Sequence, residues 1–259
     1  MNLAELNEYG IEKSINLEKY GLSTFALKII AVTTMLIDHF AILFCGNNET
    51  LYCILRGIGR LSFPIFCFVL VEGFFHTRNR LKYAIRLGIF ALISEVPYDI
   101  FHHKLFDLQA QNVIFTLFFG FMTIYALDFI SMFRVKYPDN LLKHIGASRL
   151  NTILELCAML AGLGAAYLLH TSYSYAGVML IICFYVFKKH HIGRLLSNIV
   201  FNMGMFGFTL QWLGVLSAIP IALYNKKSGS KKGKYFFYWF YPVHLLVLVA
   251  LRILYLKLT

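Results

Sequence analysis

The chain has 259 residues, 59% hydrophobic and only 14% charged, and a formal charge of +11. Soluble domains average about 45–50% apolar and about 25% charged residues, so the composition excludes an ordinary soluble globule, a disordered chain and a disulfide-stapled miniprotein. A mean hydropathy of +0.66 predicts an all-α integral membrane protein, with room for about nine helical crossings at roughly 20 residues each.

In chain order, residues 1–24 are of mixed polarity and lack a cleavage motif. They are expected at the cytoplasmic surface as an amphipathic segment, interrupted by Gly10 and Gly21, with Ser23 or Thr24 capping the first crossing. A single membrane domain follows over 25–259. Its crossings are predicted at 25–44, 51–75, 83–100, 113–132, 153–169, 173–187, 195–208, 210–224 and 235–256. The three between 173 and 224 are shorter than the usual ~17-residue minimum. Joining 195–224 into one helix would put the basic stretch 226–234 outside. The charge pattern therefore divides it into two short or re-entrant segments, with a turn at 209–212. Broken helices of this kind occur where they line a cavity.

Most of the 24 Lys and Arg residues lie in or beside alternate connections, around 13–28, 78–86, 134–149, 188–194 and 226–234. This positive-inside pattern puts the N-terminus in the cytoplasm and the chain in the cytoplasmic membrane as a multi-pass protein. Topology accounts for the basic excess, so the bilayer rather than nucleic acid is the expected partner. The five cysteines contain no CxxC pair, and no metal site is expected. Cys45 and Cys53 flank the first outer loop, and spacing alone leaves their pairing open. His102–His103 and His190–His191 read as interfacial polar residues. The aromatic runs read as lipid-facing surface and interfacial belt. Asn198 and Asn202, one turn apart, read as interhelical glue, and Gln211–Trp212 as an acceptor contact.

Ionisable residues at membrane depth are functional candidates. Asp38 and His39 lie in the first crossing, Arg56, Arg60 and Glu72 in the second, Glu95 and Asp99 in the third, and His244 in the last. At a rise of about 1.5 Å per residue, His39 is roughly 21 Å and Glu95 about 18 Å from the cytoplasmic end, and Arg60 about 14 Å from the outer one. One assembly at this depth pairs Asp38 or Glu95 with Arg60, alongside His39. Glu72 lies near the cytoplasmic face with His76. Lys28 and His39 share a helical face about 16 Å apart, a span that suits coenzyme A, with its phosphates at Lys28 and its thioester near His39.

At these residues the sequence resembles the TraX family of membrane acetyltransferases, named for a protein that acetylates the N-terminus of conjugative pilin. The matching blocks are Lys28 with Asp38–His39; Gly59 through Phe66 (GRLSFPIF); Glu72-Gly73 with Thr77; Ser94 through Asp99 (SEVPYD); Asn112 with Phe115-Thr116; and Tyr238 through His244 (YWFYPVH). The Lys-x10-His element also resembles an Arg-x10-His element of the wider transmembrane acyltransferase group, with Lys28 in place of Arg, which removes the bidentate guanidinium fork.

The resemblance implies transfer of an acetyl group from cytoplasmic acetyl-CoA to an amine or hydroxyl acceptor (peptide, glycan or lipid). The expected roles are His39 as general base, Asp38 or Glu95 orienting it, and Arg60, Asn112 or a backbone amide stabilising the oxyanion. His244 is the competing base, and a ping-pong route through acetyl-His39 is the alternative chemistry. Lys28, Glu72, Arg78 and Arg80 are the expected acetyl-CoA contacts. The competing functions are a small-solute or ion-coupled transporter and a non-catalytic scaffold. Intramembrane charges suit the transporter equally well.

Overall fold

Helix α1 (Thr24–Phe44) begins where Ser23, in extended backbone, accepts a hydrogen bond from the Ala26 amide at 3.2 Å. The computed structural model describes residues 20–104, 107–132, 147–205, 209–230 and 233–258, so most of the expected N-terminal amphipathic segment lies outside the described residues. After α1 come α2 (Glu49–Gly59), α3 (Ser62–His76), α4 (Arg80–Phe101), α5 (Val113–Met132), α6 (Ala147–Leu168), α7 (Ser174–Val186) and α8 (His191–Gly204). A 3-10 helix (Leu210–Ser217), α9 (Ala218–Ala222) and α10 (Lys234–Leu258) complete the order, and no strand occurs among the described residues.

Among the described residues, five helical segments are long and apolar enough to cross a membrane: Thr24–Phe44, Glu49–His76, Val113–Met132, Arg149–Leu168 and Tyr235–Leu258. Of the about nine crossings expected, these five qualify on length and composition. The 22-residue α4 has the length but carries Arg80, Lys82, Arg86, Glu95 and Asp99. The segments Ser174–Val186 and Leu210–Ala222 are apolar but short.

Contacts nevertheless sort the chain into two ends. Leu22 bridges Tyr224, Glu72 bonds Arg194 and Arg80 bonds Asp128 at the first end. Gln111 bridges Thr171, and Arg60 meets Gln211, at the second. Helices α1 and α10 run parallel, with Phe25 against Phe237, His39 against His244 and Phe44 against Tyr255. The core centres on α3, where Phe68 meets Phe184 and Phe74 meets Phe121, all fully buried. In a bilayer such dense interhelical packing, rather than escape from water, holds helices together.

The expected single helix over 51–75 is interrupted at Arg60–Leu61. Pro64 explains the break, because it has no N–H to donate to the Arg60 carbonyl and its ring crowds that oxygen. The turn tightens there, with the Leu61 amide bonding Ile58 O at 3.2 Å. The expected division of 195–224 is present: α8 ends at Gly204 and the 3-10 helix starts at Leu210, where the Thr209 hydroxyl accepts from the Gln211 amide. That 3-10 helix folds back along α8, Gln211 meeting Asn202 and Ser217 meeting Asn198.

Candidate functional site

His39 and His244 are 205 residues apart in sequence, and their rings are joined at 2.7 Å through His39 Nδ1 and His244 Nε2. Their ring centroids lie 4.9 Å apart. Phe101 of α4 closes one side, 5.1 Å from the His39 ring, and Tyr241 another, at 6.3 Å. His244 Nδ1 lies 2.7 Å from the Phe240 carbonyl oxygen. A carbonyl only accepts, so Nδ1 of His244 carries a proton and donates it. In the neutral pair His244 Nε2 is then the acceptor, and His39 Nδ1 is the donor to it. His39 Nε2 is left unprotonated, with its lone pair available. The backbone of α10 thus dictates the tautomer of both rings.

Asp38, one residue earlier, faces α2 instead of the imidazoles. Its Oδ1 accepts from Arg60 Nη2 at 2.5 Å and its Oδ2 from Arg56 Nη1 at 2.7 Å. Two guanidinium groups on one carboxylate leave a surplus positive charge beside the histidine pair. Arg60 extends the network to Gln211 Oε1 at 3.4 Å; Gln211 donates to Asn202, and Asn202 to Asn198. Asn198 and Asn202 therefore tie α8 to the 3-10 helix, as expected of glue residues. The acceptor role expected of Gln211 has no contact to support it, since its amide is engaged with Arg60 and Asn202.

Gly59 makes the Asp38 contact possible: a Cβ at that position would overlap the Asp38 side chain at its Cβ and Oδ1. Gly59→Ala is expected to destabilise the protein by about 1–3 kcal/mol, read as a lower thermal midpoint in detergent. An unchanged midpoint would mean that Asp38 moves aside freely.

Glu95 is not with Arg60 or His39. Its Oε2 accepts from the Asn112 side-chain amide and, at 3.3 Å, from the Asn112 backbone amide. Asn112 Nδ2 also reaches Ala91 O at 2.8 Å, and its Oδ1 accepts from the Ile114 amide at 3.0 Å. Both polar atoms of the Asn112 side chain are thus engaged, Oδ1 in capping α5 and Nδ2 on α4. Asp99 Oδ2 accepts from the Asp107 amide at 3.1 Å. The half-buried Asp107 carboxyl is held below its usual range by the hydrogen bond from Lys104.

The expected acetyl-CoA contacts gather at the opposite end from Glu95. Lys28 lies 5.4 Å from the centroid of the Phe237 ring, so Lys28 and His39 share the helical face that the spacing predicted, and that face meets α10. Arg78 is exposed. Arg80 bonds Asp128 and stacks 4.2 Å from the Phe74 ring. Glu72 accepts from Arg194 at 3.1 Å. Cys45 and Cys53 are both free thiols, and the described residues hold no cluster of His, Cys, Asp and Glu that could bind a metal ion.

Three partners escaped sequence reasoning. Arg56 stands among the intramembrane charges with no role of its own in the sequence reading, though its position one turn before Arg60 is a signal. Arg194 and Asp128, the partners of Glu72 and Arg80, carried none beyond charge.

A family model described as TraX protein matches residues 23–252. A protein of Dichelobacter nodosus described as probable fimbrial assembly protein FimC, serogroup H1, is 31% identical over 257 residues, covering 89% of this chain and 96% of that protein. No solved structure matches.

Proposed function

The chain belongs to the TraX family, and on that footing we propose that it transfers an acetyl group from acetyl-CoA to an amine or hydroxyl acceptor, with His39 as general base. The observation that carries this reading is the hydrogen-bond order Phe240 O, His244, His39, which leaves His39 Nε2 with a free lone pair.

As the acceptor attacks the thioester carbonyl, Nε2 takes its proton. The acceptor–carbon bond forms, the carbon–sulfur bond breaks and CoA leaves as the thiolate, which then takes the proton. During attack, the charge on His39 is relayed through Nδ1–H to His244, whose own Nδ1–H is anchored on the Phe240 carbonyl. His244 therefore fills the orienting role that a carboxylate has in a Ser-His-Asp triad. Asp38 serves instead to hold Arg56 and Arg60, whose surplus positive charge suits the developing oxyanion.

In this reading acetyl-CoA enters from the cytoplasm at the end that carries Lys28, Arg78 and Arg80. The shared orientation of Lys28 and His39 toward α10 supports a pantetheine arm lying along the α1–α10 seam. The N-terminus is then cytoplasmic, and the protein is a multi-pass component of the cytoplasmic membrane.

The test is release of free CoA thiol by purified protein in lipid nanodiscs, assayed with candidate amine and hydroxyl acceptors. Thiol release is expected to depend on the acceptor. Lys28→Ala is expected to raise KM for acetyl-CoA about tenfold, the order of one charge-assisted phosphate contact, with kcat retained. Acceptor-dependent release with an unchanged KM would mean that the phosphates are held elsewhere. Absence of release with every acceptor would contradict the proposal.

A further inference from the structure

Four arginines within the helical bundle are matched to acids. Arg56 and Arg60 bond Asp38, Arg80 bonds Asp128, and Arg194 bonds Glu72. Arg86 of α4 differs. No carboxylate among the described residues pairs with it, and its Nε is buried with no hydrogen-bond partner. Arg56 and Arg194 also keep an unpartnered Nε, but their charge is balanced. Taking a cation out of water without a counter-ion is costly, and an unmatched charge at membrane depth points to a ligand that completes it.

Arg86 follows Arg80 by six residues and so lies about 9 Å further along α4. Two tyrosines hold its guanidinium. The Tyr83 ring centroid is 5.6 Å away, and the Tyr238 hydroxyl on α10 is within hydrogen-bonding reach. Tyr83 is itself wedged in place: its ring lies 4.7 Å from that of Phe121, and a Cβ at Gly73 would meet its hydroxyl at 3.1 Å. Tyr238 packs 5.0 Å from the Phe90 ring. The residue before it, Phe237, is the one that Lys28 approaches. Consecutive residues of α10 thus carry one cation each, Lys28 from α1 and Arg86 from α4.

A guanidinium presents N–H donors and no acceptor, and the Tyr238 hydroxyl, accepting from it, keeps its own proton to donate. A donor set with one positive charge and no acid suits a phosphate, whose oxygens a guanidinium can take two at a time. Among the other expected phosphate contacts, Lys28 is a point charge, Arg80 is engaged by Asp128 and Arg78 is exposed.

We propose that Arg86, with the Tyr238 hydroxyl, binds the phosphates of acetyl-CoA and supplies from α4 the guanidinium fork that Lys28 lacks. The identity of the ligand rests on the acetyl-transfer reading; its phosphate chemistry rests on the surroundings of Arg86. The donor then lies among α1, α4 and α10, with its phosphates at Lys28 and Arg86 and its thioester toward His39. A lipid headgroup carries the same phosphate chemistry, and the test separates the two sources.

CoA is titrated, without acceptor, onto purified protein in dodecyl maltoside, a detergent that has no phosphate. Arg86→Gln is expected to weaken CoA binding at least about tenfold, the order of one charge-assisted contact. CoA is also expected to slow the modification of Arg86 by phenylglyoxal, mapped by mass spectrometry, whereas pantetheine, which has no phosphate, and phosphatidylglycerol do not. Unchanged CoA affinity in a folded Arg86→Gln variant, protection by pantetheine as strong as by CoA, or protection by phosphatidylglycerol and not by CoA would overturn the proposal. If the variant fails to fold, the protection measurements on the wild type decide. CoA binding that depends on Arg86, without thiol release with any acceptor, would overturn acetyl transfer and leave the phosphate site standing.

Discussion

His39→Ala is expected to lower acetyl transfer by about 10²–10⁴-fold, the contribution typical of a positioned general base, while acetyl-CoA affinity stays within about threefold. The separation of the two effects follows from where the groups lie. Lys28, Arg78 and Arg80 belong to the end that carries Glu72 and Arg194, and His39 to the level of Phe101 and Tyr241. Removing the imidazole deletes the only free lone pair of the pair and leaves the phosphate contacts in place. Transfer of radiolabel from acetyl-CoA, with affinity measured separately by titration, reads both quantities. Undiminished transfer would remove His39 from the chemistry, and a large loss of affinity with retained turnover would recast it as a binding residue.

Asp38→Ala is expected to destabilise the folded protein by about 3–5 kcal/mol, the cost of breaking a buried charge pair from one side. The carboxylate has 9% side-chain exposure and is held by both Arg56 and Arg60. Its removal leaves two guanidinium groups facing each other at membrane depth, with the α1–α2 contact over Gly59 no longer tied. The variant is expected to show a markedly lower thermal midpoint in detergent and reduced folded yield. A midpoint equal to that of the wild type would show that the arginines find other partners. Loss of activity at full stability would give Asp38 a more direct part in the reaction than holding Arg56 and Arg60.

The long helices were legible because apolar runs of membrane length carry their own signal. The expected 25–44 and 113–132 stand beside the observed Thr24–Phe44 and Val113–Met132. The division between α8 and the 3-10 helix was legible from charge alone, since the basic stretch 226–234 required an even number of passes before it. The break at Arg60–Leu61 was also written in the sequence, at Pro64, but the surrounding apolar run masked it. The gathering of Asp38, Arg60 and His39 at one depth followed from counting residues along helices. Who bonds whom did not, because depth fixes height and leaves the rotation of each helix open. Glu95 and Asp38 both stood at a height to serve His39. Rotation gave Asp38 to Arg56 and Arg60 and Glu95 to Asn112, and brought His244 across from α10. The tautomer depends on one backbone carbonyl, that of Phe240, which no side-chain pattern reveals.

The central claim is that His39 and His244 act as one base. It is tested most directly by a double-mutant cycle on single-turnover acetyl transfer from labelled acetyl-CoA, comparing wild type, His39→Ala, His244→Ala and the double variant. Groups that act as a unit are strongly non-additive, so the double variant is predicted to be no slower than His39→Ala alone. Losses that multiply across the two positions, or a His39→Ala variant as fast as the wild type, would contradict the account.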